Sequence, residues 1–171
     1  MKKDTNDQNK GFTIRDIISI IVPVIAIIII FKLMFLTSVV NSGSMEPTLM
    51  TGNVIFFNKL AYVVRDVKRG DIIAFEEEGT NLLIGKRVIG IAGDDISFAD
   101  GKVVLNGEIL DESAYLSEDI FTLCLDTFTV PEGCVFVLGD NRGDSFDSRF
   151  WLNPYISIDN IKGKYIGQID R

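Results

Sequence analysis

The chain of 171 residues contains no histidine. That excludes a Ser-His-Asp triad and a Cys-His dyad together. Cysteine is nearly as scarce: with Cys124 and Cys134 alone, a zinc site of the usual Cys and His ligands is ruled out, and no metal or other cofactor is expected. Cations are in deficit as well, since 17 Lys and Arg against 24 Asp and Glu leave a formal net charge of −7. No basic stripe occurs beyond the first residues, so a nucleic-acid partner is not expected. From Val39 onward there is no amphipathic helical period of useful length, no internal repeat and no low-complexity linker. Proton transfer near neutral pH must therefore fall to a carboxylate, lysine, tyrosine or thiol whose surroundings have moved its pKa.

What the chain does have is one long apolar run. Ile17 to Leu36 reads IISIIVPVIAIIIIFKLMFL, broken only by Ser19 and Lys32. At roughly 1.5 Å per residue it reaches about 30 Å, the depth of a bilayer's hydrocarbon core. Pro23 is tolerated in a membrane helix, and Lys32 near the far end has a stem long enough to snorkel to the interface. A core helix is rarely Ile-rich on every face, and the run exceeds the usual apolar length of a cleaved leader. A retained anchor in membrane lipid is expected over 17–36. Lys2, Lys3, Lys10 and Arg15 precede it, and the orientation rule counts cations, so residues 1–16 are expected in the cytoplasm and 37–171 outside.

The exported part reads as short strands separated by turn formers. Val54–Phe57, Asp71–Phe75, Leu82–Ile89, Val103–Leu105, Phe121–Leu125 and Val135–Leu138 have strand character. Asn106-Gly107 inside Val103–Leu110 predicts a hairpin with a two-residue type I′ turn. The expected fold class is all-β, a folded antiparallel sheet or barrel behind one N-terminal transmembrane helix. Glu76-Glu77-Glu78 reads as a solvated loop.

Four segments carry possible chemistry. Asn41–Leu49 holds Ser-Gly-Ser before a proline, an ordinary turn unless a base lies near one hydroxyl. In Leu83–Gly90, alternation puts Lys86 on one face with Ile84 and Val88, while Arg87 points the other way. If that face is inward, desolvation favours the neutral amine; on an exposed edge the same pair is unremarkable. Gly139–Arg149 is dense in turn formers, opposite charges and hydroxyls, fitting either a solvated loop or a bonded network. Arg69–Phe75 looks like a turn feeding a buried strand.

In this order behind an apolar span, "SGSMEPTL", "RGDIIAF", "KRVIGIAGD" and "GDNRGDSFDSR" resemble the four motifs of the type I signal peptidases. The resemblance spans about Ser42 to Arg149, with 95–130 outside the motifs. It implies a serine endopeptidase that removes signal peptides from exported preproteins after small residues, at sites like Ala-x-Ala. It makes Ser44 the nucleophile and Lys86 the general base, with Ser42 and the Ser44 amide facing the oxyanion and Ser145 orienting the Lys86 amine. Arg87 would pair with Asp140, and Asp147 with Arg149, while Met45 and Pro47 shape the turn that presents Ser44. The resemblance also implies a catalytic core at about 41–95 and 131–171, with a reduced β insertion at about 96–130.

Two departures stand out. The family usually has Gly-Asp after its serine motif, where this chain has Gly52-Asn53, which predicts a missing acidic contact. After Arg149 the chain runs Phe150-Trp151-Leu152, then Asn153-Pro154-Tyr155, in place of two residues and a Gly, which bears on the C-terminal strands. Cys124 and Cys134 flank an expected hairpin and suit either a disulfide or two buried thiols. Rival readings are a self-cleaving repressor-type Ser-Lys protein, opposed by the apolar span, and a silent membrane-anchored scaffold. A dedicated peptidase for a few substrates, such as pilus or matrix subunits, is a further alternative.

Overall fold

The computed structural model describes residues 13–76 and 82–170. Lys2, Lys3, Asp4, Asp7 and Lys10 of the tail, and Glu77 and Glu78 of the acidic patch, lie outside the described residues. Two compact units divide the chain after Met34.

The first unit contains one helix, α1 (Ile14–Met34), of 21 residues and mean hydropathy 2.9. None of its residues is buried, and isoleucines point out on every side, the pattern of a helix solvated by hydrocarbon. At its start the Asp16 carboxylate accepts from the Thr13 amide (2.9 Å) and hydroxyl (2.6 Å), closing the first turn.

The second unit is all-β, as expected. Its strands in chain order are β1 (Phe35–Val39), β2 (Val54–Asn58), β3 (Ile72–Glu76), β4 (Leu83–Ile91), β5 (Asp95–Ala99), β6 (Lys102–Leu105), β7 (Glu108–Ile109), β8 (Phe128–Thr129), β9 (Cys134–Leu138), β10 (Tyr155–Ser157) and β11 (Ile161–Ile169). A seven-stranded sheet has the order β1-β2-β11-β3-β4-β9-β10, and a four-stranded sheet the order β7-β6-β5-β8. Every pairing is antiparallel.

The large sheet carries a core on each face. Ile55, Phe57, Ile72 and Ala74 pack with Met45 and Leu49 on one side, and Ile73, Phe75, Val88, Val135 and Val137 on the other. The Asn-Gly hairpin forms as expected: Leu105 pairs with Glu108 around Asn106 (φ 52) and Gly107 (φ 87), both in the left-handed region that a type I′ turn requires.

Several expectations need correction. Phe121–Leu125 is not a strand. Its large side chains face solvent, with Leu123 71% and Leu125 102% exposed, while Thr122 turns inward and its amide donates to the Gly101 carbonyl (2.7 Å). The alternation is real there, but among the described residues the segment pairs with no strand. Phe35 and Leu36 end the apolar run yet belong to β1, because apolar character alone does not separate helix from strand. The strands β8 and β10 are too short, and β11 too interrupted by Gly and Lys, to show apolar alternation, while β5 alternates (Ile96, Phe98) but was not among the expected strands. Of the two states left open for Cys124 and Cys134, the structure has two thiols, each half-buried, and the hairpin expected between them is absent.

Candidate active site

Strand register explains why Lys86 is dry. Residues opposite one another in antiparallel strands share a face, and Lys86 stands opposite Ile73, as Ile84 stands opposite Phe75. With Val88 one step along, the lysine emerges among side chains fully withdrawn from water: Ile73 and Val88 are 0% exposed, and Lys86 itself 3%. Burial pushes its amine down from an ordinary 10.5 to about 8, with Arg149 adding to the fall and Asp147 and Asp140 opposing it. Its hydrogen bond goes to a neutral group, from Nζ to Ser145 Oγ at 2.9 Å. Among the described residues no carboxylate makes an ion pair with it.

The serine turn is a short 3₁₀ segment, Gly43–Met45, anchored by Met45 and Leu49, which are 3% and 1% exposed. Ser44 Oγ lies 3.4 Å from Ser42 Oγ. The Glu46–Pro47 peptide that follows is cis. Ser42, Ser44 and Lys86 line one open cleft of about 480 Å³, walled by Ile55, Phe57, Ile84 and Phe146. Hydroxyls from one segment and a desolvated amine from another thus share a cavity.

The third segment clasps the first. The Asn141 amide donates to the Ser44 carbonyl (3.1 Å), and Asn141 Nδ2 donates to the Gly43 carbonyl (3.0 Å). Thr48 Oγ1 donates to Asp140 Oδ2 at 2.5 Å. Gly139 makes the contact possible, because a Cβ there would lie 2.3 Å from the Ser44 carbonyl oxygen and 2.2 Å from Ser145 Oγ. Neither Asn141 nor Thr48 was singled out from the sequence. A half-buried asparagine in a turn is common enough that no signal short of the fold marks it.

Arg87, on the opposite face of β4, is bonded throughout. Its Nε and Nη2 reach Asp140 at 2.8 and 2.6 Å, its Nη1 donates to the Gly70 carbonyl (2.9 Å), and its guanidinium carbon sits 3.9 Å from the Tyr115 ring centre. Asp147 and Arg149 pair at 2.8 and 2.9 Å, and Asp147 Oδ2 also accepts the Gly139 amide (3.0 Å). Both ion pairs are buried in the places the motif resemblance implied.

The whole arrangement has known counterparts. A family model described as signal peptidase, peptidase S26, matches residues 14–168. The chain belongs to that family. It is 37% identical to signal peptidase I of Bacillus caldolyticus over 142 residues, covering 76% of each chain. It is 35% identical to signal peptidase I of Bacillus licheniformis over 157 residues, 86% of this chain and 83% of the relative. The crystal structure of a signal peptidase I from Enterococcus faecalis V583 superposes with a TM-score of 0.50 at 30% identity, covering 59% of this chain and 97% of that one.

The departures from the family pattern resolve in this frame. Asn53 is 6% exposed and its Nδ2 donates to Asp170 Oδ1 at 2.8 Å, just past the end of β11. The altered stretch after Arg149 places Trp151 edge-on to Phe75, 5.9 Å between ring centres, and runs into β10 along β9. Among the described residues no cluster of His, Cys, Asp or Glu could hold a metal ion.

Proposed function

We propose that this type I signal peptidase cleaves with Ser44 as nucleophile and Lys86 as general base. Membership of the peptidase S26 family makes the chain a serine endopeptidase acting on signal-peptide-bearing preproteins. The observation that carries the residue assignment is Lys86: a buried amine with no ion pair among the described residues, pushed down to about 8, in the cleft that Ser44 lines. A substantial fraction is then neutral near physiological pH, against a trace for an ordinary lysine.

In the first step the neutral Lys86 amine takes the Ser44 proton as Oγ bonds to the scissile carbonyl carbon, whose π pair moves onto oxygen. Ser42 Oγ, 3.4 Å from Ser44 Oγ, and the Ser44 amide are the donors for that oxyanion. The oxyanion collapses, the C–N bond breaks, and the Lys86 ammonium returns its proton to the leaving amine. Water deprotonated by Lys86 then hydrolyses the acyl-enzyme. Ser145 holds the amine throughout, and the Arg87–Asp140 and Asp147–Arg149 pairs keep Gly139–Arg149 in place around it. No step requires a metal or cofactor.

Residues 1–16 form the cytoplasmic tail in this reading, the segment at 17–36 spans membrane lipid, and 37–171 is the extracytoplasmic peptidase domain, with its insertion at about 96–130. The cations of the tail and the 21-residue apolar helix support it. Protease added outside intact cells should digest the peptidase domain; protection there, with digestion only after lysis, would reverse the topology. No observation favours a silent scaffold or a narrow substrate list.

The function test is cleavage of an Ala-x-Ala leader peptide by the detergent-solubilised full chain, beside Ser44→Ala and Lys86→Ala. Cleavage by the parent and by neither variant is expected. Cleavage by Ser44→Ala would overturn the mechanism.

A further inference from the structure

Charge counting in the buried network leaves one arginine unanswered by its own motif. Gly139–Arg149 and β4 bury three guanidiniums, Arg87, Arg142 and Arg149, but Gly139–Arg149 supplies two buried carboxylates, Asp140 and Asp147, each already paired. The Arg142 side chain is 0% exposed. An uncompensated cation so deep in the protein would cost several kcal/mol.

Its counterion comes from outside the motifs. Glu112 Oε1 and Oε2 accept from Arg142 Nη2 (2.5 Å) and Nη1 (2.9 Å), a two-pronged grip. Glu112 sits in a tight turn beyond β7, where its carbonyl accepts the amides of Tyr115 (3.1 Å) and Leu116 (2.9 Å). The Tyr115 hydroxyl donates to Glu112 Oε1 (2.7 Å), and the same ring lies under Arg87. Thr122 Oγ1 takes a further bond from Arg142 Nη1 (2.7 Å). One turn of the region between the motifs therefore touches two of the three buried arginines.

The path from there to the reacting groups is short. Arg142 Nε donates to the Gly139 carbonyl (3.0 Å), and Gly139 is the residue pressed against the Ser44 carbonyl and Ser145 Oγ. The Arg142 carbonyl in turn accepts from Arg149 Nη2 (2.9 Å), which also reaches the Ser145 carbonyl (3.4 Å). Fixing the Arg142 guanidinium fixes the loop that holds Ser145 on Lys86 and Asn141 on the serine turn.

We infer that Glu112, braced by Tyr115, is a positioning residue for catalysis, setting the Ser44–Lys86–Ser145 geometry through Arg142. The inference rests on the assignment of Ser44 and Lys86 above. Glu112 lines no part of the cleft and touches no reacting atom, so its loss should leave substrate binding alone and lower turnover.

The test compares full-chain Glu112→Gln, Glu112→Asp and Arg142→Lys with the parent on the leader peptide, per folded enzyme and well below each Tm. Glu112→Gln keeps the shape and removes the charge; a fall in kcat of roughly 10- to 100-fold with KM within about twofold is expected, the size of effect that small misplacements cause. Glu112→Asp should recover part of it, and Glu112→Gln should cost little more once Arg142→Lys is present. Parent kcat in Glu112→Gln, or a loss that vanishes when folded protein alone is counted, would overturn the inference. Should Glu112→Gln fail to fold, parent kcat in Arg142→Lys would overturn it equally. Ser44→Ala in the same series separates the outcomes: activity there discards the dyad itself, whereas an inert Ser44→Ala beside a fully active Glu112→Gln discards only the role of Glu112.

Discussion

Lys86 and Arg87 are neighbours on β4, equally buried at 3% and 8% exposure, and their surroundings are opposite in kind. On the lysine's face stand Ile73, Val88 and one neutral hydroxyl. On the arginine's face stand a carboxylate gripped twice, a backbone carbonyl and an aromatic ring. The same chain thus starves one cation of partners and satisfies the next. A lysine denied a counterion gives up its proton and becomes a base; a guanidinium stays charged and becomes a fastener. Alternation along one strand is enough to separate a reactive group from a structural one.

The sharpest way to break this contrast is Lys86→Met, which keeps the apolar stem and removes the amine. Activity should fall by at least about 10⁴-fold, the scale on which loss of a nucleophile's base is felt. Stability should move the other way. Because the folded pKa of about 8 lies below the ordinary 10.5, the unfolded chain binds the proton more tightly, and below pH 8 the folded protein carries the full penalty. That penalty is at most about 3 kcal/mol. Chemical denaturation at pH 7 should therefore find Lys86→Met as stable as the parent or more so, and a clear loss of stability would contradict the desolvated amine.

The same shift predicts the pH dependence. The parent's kcat/KM should climb about tenfold per pH unit up to about 8 and then level. Lys86 should make parent stability rise between pH 8 and 10.5 as this penalty is relieved. A limb centred near 10 would mean that the lysine is solvated.

Arg87→Met tests the other face. It strands Asp140 in the interior, and breaking a buried pair in this way costs about 3–5 kcal/mol. Denaturant midpoints should drop accordingly, opposite in sign to Lys86→Met one residue away; equal effects would erase the comparison. The smallest change is Gly139→Ala, where one methyl meets the Ser44 carbonyl and Ser145. Overpacking of this kind costs about 1–3 kcal/mol, and here activity should fall further than stability because both obstructed atoms belong to the site. Melting curves beside leader-peptide kinetics would show whether that ratio holds.

The missing histidine, the apolar run, the alternation around Lys86 and four ordered motifs were legible before any fold was known, since each is a local property of residue type and spacing. The family resemblance carried by those motifs implied Ser44, Lys86 and both ion pairs. Asn141, Thr48 and Glu112 were not legible, because each acts on a partner between 30 and 98 residues away in the chain through a loop with no period of its own. The same holds for β10 and β11, whose partners β9, β2 and β3 supply the edges that a weak alternation needs. Asn53 gave no sign of Asp170 beside it. Sequence by itself determined which groups are chemically capable and which face of a strand each occupies. Only the tertiary structure decided which of them are dry, which are paired and which meet, because desolvation and charge compensation depend on neighbours that the chain brings together only when folded.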